Sequence, residues 1–85
     1  MVDRIVDVFL EDSLGAAATP QDAERYRGIV SDHLTEHDIE FLLGLSGDEL
    51  ETAVCGDQEE MVAILARGPE DINARLDECF MDMCA

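Results

Sequence analysis

The chain has 85 residues, 21 of them Asp or Glu and only 5 Lys or Arg, for a formal charge of −16. So strong a negative field repels phosphate, which argues against direct binding of nucleic acid or of anionic lipid. The apolar share of 47% is too high for an acidic disordered tail and the length suits one small core, so a single helical domain over 1–85 is expected.

The first element begins at the N-terminus. Val2, Ile5, Val6, Phe9 and Leu10 recur at helical spacing, with Asp3, Arg4, Asp7 and Glu11 on the other side, so a helix is predicted over 2–14, ended by Gly15. Acids inside this apolar run exclude a signal peptide, and no window nears the ~20 uncharged residues of a membrane span; a cytoplasmic protein is expected. Asp12, Ser13 and Leu14 resemble the attachment triplet of acyl carrier proteins. They close the first helix, however, whereas that family's serine opens the second.

Thr19-Pro20-Gln21-Asp22 is a helix start with an N-cap, a proline at the first turn and an acid at the third position. It opens a second helix over 20–34, with Ala23, Tyr26, Arg27, Val30 and Leu34 on one face.

From Thr35 the pattern repeats every 11 residues. Thr35, Ser46, Asp57 and Gly68 occupy the cap position, and Asp38, Glu49, Glu60 and Asp71 follow three residues later. Apolar pairs come next: Ile39 and Leu43, Leu50 and Val54, Met61 and Leu65, Ile72 and Leu76. A period of 11 can also describe one long supercoiled helix. Glycines and Pro69 fall at the unit junctions, which favours separate helices, over 36–44, 47–55, 58–67 and 69–83. The last carries the stripe Ile72, Leu76, Cys79, Phe80 and Met83, read as core. The fold class expected is all-α, a compact bundle of five to six short helices, several begun by capping boxes at 11-residue spacing.

Catalytic and metal-binding motifs are weak. His33, Glu36 and His37 resemble the H-x-x-E-H pattern of inverted zinc metallopeptidases, which needs one continuous helix. Thr35 reads as a cap that breaks it, leaving two solvated histidines among Asp32, Glu36 and Asp38. Cys55, Cys79 and Cys84 are odd in number and lack zinc-knuckle spacing, so no disulfide framework, metal site or cofactor is assigned, and no enzyme activity is expected.

The informative feature is charge geography. No Lys or Arg occurs from 28 to 66, while that stretch carries Asp32 and nine further acids: Glu36, Asp38, Glu40, Asp48, Glu49, Glu51, Asp57, Glu59 and Glu60. Some can serve as caps, but Glu40, Glu51 and Glu59 are not needed for that. The nine are the candidate partner-binding residues. The expected partner is a positively charged protein, such as a nucleic-acid enzyme or a defence complex, whose basic surface the acids would occupy. Small phage inhibitors of bacterial defence systems, anti-CRISPR proteins among them, act in this DNA-mimicking way. Two alternatives stand beside it. A salt-adapted halophilic module would carry such charge with no partner, and an immunity or antitoxin protein would direct it at a basic nuclease. Either a monomer or a homodimer fits.

Overall fold

The computed structural model describes residues 2–84. Among these residues six α-helices follow one another: α1 Asp3–Ser13, α2 Pro20–His33, α3 Glu36–Leu43, α4 Gly47–Cys55, α5 Gln58–Leu65 and α6 Ile72–Cys84. A short 3-10 turn, Gly15–Ala17, joins α1 to α2, and no strand occurs among the described residues. The fold is all-α, as the apolar spacing requires.

Local signals set three of the six starts. In α2 the Thr19 hydroxyl accepts from the Asp22 amide at 3.2 Å, and the Asp22 carboxylate accepts from the Thr19 amide at 3.0 Å. The same reciprocal box opens α3 through Thr35 and Asp38 and α4 through Ser46 and Glu49. Each box satisfies amides that a helix start otherwise leaves unpaired. Helices of eight or nine residues are marginal alone, so packing must complete them.

The repeat loosens in its second half. Asp57 occupies the cap position of α5 in extended backbone, but its side chain makes no capping bond. The fourth unit departs further, because α6 begins at Ile72 and not at 69. Gly68 lies so close to Phe41 that a Cβ there would come within 2.6 Å of the ring. Asp71 then takes a left-handed φ of 64°, and its carbonyl accepts the Arg75 amide to begin the helix. The loop is thus shaped by its seat on α3, which its own cap signal cannot override.

Packing gathers Ile5, Val6 and Phe9 of α1, Tyr26 and Val30 of α2, Leu42 of α3, Leu50, Ala53 and Val54 of α4, and Ile72, Leu76 and Cys79 of α6 into one buried cluster. Burial of this apolar surface is the main force holding short helices together. A radius of gyration of 11.8 Å matches the ~12 Å of a compact globule of this length. The α6 stripe is buried at Ile72, Leu76, Cys79 and Met83, whereas Phe80 is half-buried, edge-on to Phe9 with ring centroids 5.0 Å apart. Burial pushes the Cys79 thiol up to about 12, leaving it a small inert hydrophobe.

Helix α3 is turned relative to its siblings. Its buried residues are Asp38 and Leu42, while Ile39 and Leu43 of the expected apolar pair are half-buried. The rotation brings the one buried charged side chain among the described residues into the bundle.

Candidate functional site

Asp38 is fully buried and cannot touch a partner, contrary to the sequence-based expectation. Its Oδ2 accepts from Arg75 Nε at 2.5 Å and its Oδ1 from Arg75 Nη2 at 2.8 Å. Burial alone would raise the carboxyl, but the Arg75 and Thr35 hydrogen bonds together hold it below its usual range. An aspartate at the third position of a helix looks like a solvent-facing cap until an arginine from another helix meets it.

Glu49 is also engaged. Arg67 Nη2, just past α5, donates to Glu49 Oε2 at 2.8 Å, and this bond, with the Ser46 amide and the arginine's charge, keeps the Glu49 carboxyl low. Two successive repeat acids are therefore matched with arginines from the C-terminal part of the chain.

The other candidates, Glu36, Glu40, Asp48, Glu51, Asp57, Glu59 and Glu60, are all exposed. Three of them belong to one band. Glu51 borders a hollow of about 600 Å³ between α1 and α4, facing Glu11 and Asp12. Asp48 and Glu51 flank the next depression along α4. Asp48 and Glu60 flank a third, between α4 and α5. Acids of three helices thus follow one another across a single side, and no arginine lines any of these hollows. Glu36 and Glu40 stand one turn apart on α3, and neither they nor Asp57 and Glu59 line these depressions.

Glu11 and Asp12 extend the band beyond the span 28–66. Their sequence signal was available, because no Lys or Arg occurs between Arg4 and Arg25 either. Only the packing of α1 on α4 shows that the two base-free stretches meet. The half-buried Cys55 thiol registers the field there: burial raises it, and the charges of Asp12, Glu51 and Glu11 raise it further.

Four of the five arginines are engaged within the fold. Arg27 pairs with Asp3 at 2.7 Å, Arg67 with Glu49 and Arg75 with Asp38. Arg25 Nη2 donates to the carbonyls of Asp82 and Met83 at the end of α6, where a cation offsets the helix dipole.

The two histidines diverge. His33 ends α2 and His37 lies in α3, with Leu34 and Thr35 in extended backbone between them, so the five-residue motif is not one helix. His33 is half-buried, with its ring nitrogens on α6: Nε2 at 2.5 Å from Asp82 and Nδ1 at 3.4 Å from Glu78. Sequence neighbours suggested Asp32, Glu36 and Asp38 as its company. The Asp82 hydrogen bond, joined by the charges of Asp82, Glu78 and Asp32, raises His33 above its ordinary value against desolvation. His37 is exposed. No cluster of three or more His, Cys, Asp or Glu suited to holding a metal occurs among the described residues, and no helix among them is long and apolar enough to cross a membrane.

Comparison with protein-family models, with curated proteins and with solved structures finds no match for this chain.

Proposed function

We propose that this is a small binding protein whose acidic side occupies the basic, nucleic-acid-binding surface of a protein partner. The observation that supports the reading is the band formed by Glu11, Asp12, Glu51, Asp48 and Glu60, whose hollows no arginine lines among the described residues. Neighbouring carboxylates repel one another at a cost that a cationic partner would offset. Such a partner would be a nucleic-acid enzyme, a defence complex or a basic nuclease. Association would be fast and salt-sensitive.

The test is a triple variant, Asp48→Asn, Glu51→Gln, Glu60→Gln. Immobilised wild-type protein should retain a nucleic-acid-binding protein from its source cells at low salt, DNA or RNA should displace it, and the variant should retain much less. Each exposed charge is worth little alone, which is why three are changed together. Equal retention by an unrelated protein of similar charge would sink the reading.

A second reading draws on the complete absence of lysine, a composition that concentrated salt favours. In that case the charge maintains solubility, and the protein should fold only in molar salt.

A further inference from the structure

The surface between α5 and α6 carries a different feature. Helix α5 is the most apolar of the six in composition, yet Leu65 is its one buried residue. Val62 is 48% exposed, one of two large hydrophobic residues so placed among the described residues. It stands where two hollows adjoin, of about 400 and 340 Å³, which share Val62 and Asn73 and run between α5 and α6. Together they make one groove with Val62 at its middle, reaching Met61 at one end and Pro69 at the other.

The rim of this groove is acidic: Asp77 on α6 at one end, Glu70 and Asp71 in the loop at the other. No arginine lines it; Arg67 is held by Glu49, and Arg75, held by Asp38, also donates to the Glu70 carbonyl at 2.7 Å and feels the charge of Asp71. An exposed valine between two acidic ends is complementary to a helix with an apolar anchor on one stripe and basic residues flanking it. A second copy of this chain fits poorly, since it would bring another 16 negative charges to an already negative rim.

We infer that the α5–α6 groove is a docking site for a basic amphipathic helix of the partner protein. An apolar anchor of that helix seats on Val62, and its Lys or Arg residues reach Asp77 on one side and Glu70 and Asp71 on the other. The inference rests on the reading of a cationic partner and deepens it, by assigning the basic face to the acidic band and one helical segment to the groove. The groove supplies short-range apolar contact, which salt does not screen, and the band supplies long-range attraction, which salt does.

The test is a titration of the isotope-labelled protein, followed by amide chemical shifts, with an amphipathic peptide of about 18 residues built of Leu and Lys, long enough for five helical turns. A control peptide keeps every Lys and carries Gln for Leu. The Leu-bearing peptide should shift Val62, Ala66, Asn73 and Asp77 saturably, and the control should not. Val62→Asn should weaken the Leu-bearing peptide about tenfold, as expected for losing one apolar anchor. Val62 is half exposed, so an unchanged melting curve will show that the variant is folded. Equal groove shifts from both peptides, a groove that stays silent, or no effect of Val62→Asn would each overturn the inference. Groove shifts produced by concentrating the protein alone would overturn it too, in favour of self-association. The triple variant separates the two readings. If band amides respond while the groove stays silent, the acidic-face proposal survives without this one. If the groove binds the peptide but the triple variant still retains the cellular partner in full, the groove stands and the acidic face falls.

Discussion

The Asp38 carboxylate and the Arg75 guanidinium form a two-pronged pair that ties α3 to α6 across 37 residues of chain. Asp38 is fully buried, whereas the Arg75 side chain keeps a quarter of its surface in water. Arg75 also donates to the Glu70 carbonyl at 2.7 Å, so one side chain holds α3, α6 and the loop before it. Arg75→Ala should therefore destabilise by about 3 kcal/mol, the lower end for breaking a buried pair because one partner stays partly solvated. Denaturant unfolding measures it. A loss under half a kilocalorie would mean that water readily replaces the arginine.

Stability should peak in mildly acidic solution. His33 is raised above 6.5 by Asp82, so its contribution is complete below pH 6.5 and lost as pH rises through the raised value. Asp38 is lowered below 3.8, so its contribution is complete above that pH and lost as pH falls through the lowered value. Melting temperature should rise as pH falls from 8 to 6.5 and drop again below 3.8, and added salt should flatten the first limb. His33→Gln should remove part of the rise above pH 6. A monotonic increase of stability with pH would contradict this assignment.

Gly68→Ala should cost about 1–3 kcal/mol, since the new methyl would press on three atoms of the Phe41 ring at 2.6 to 2.9 Å. Combining it with Phe41→Leu should recover part of the loss, which a double-mutant cycle would register as coupling. Strict additivity would show that the loop, and not the ring, resents the alanine.

Zinc in modest excess should leave the melting temperature unchanged. His33 faces Asp82 and Glu78 on α6, while His37 lies beyond the break in another helix. A rise that disappears in the His33→Ala, His37→Ala double variant would reveal a site formed by rearrangement.

The parts of the molecule that sequence makes legible are those determined within a few residues. Thr19, Thr35 and Ser46 announce their helices because a capping box is complete within four residues. The burial of Asp38 is invisible at that range, because a similar box at Ser46 and Glu49 stays near the surface although an arginine meets each acid; the turn of α3 into the bundle distinguishes them. Gly68 fails as a cap for a similar reason, since its position is decided by a ring on α3. The exposed acids could be read directly, but not their grouping. Glu51 meets Glu11 and Asp12 only when α1 lies on α4, and a search confined to one base-free stretch leaves those two out.

The capping boxes bear on how quickly the native state is reached. Three helices carry their own start signals, and the pairs α1 with α2 and α4 with α5 are neighbours along the chain, so much of the structure can form before distant segments meet. Chains organised in this way fold within microseconds to milliseconds. The slow event should be the docking of α6 on α2, where His33 finds Asp82 and Arg25 closes over the last carbonyls. A substitution there, such as Arg25→Ala, should mainly accelerate unfolding, whereas one at Thr19 should mainly retard folding.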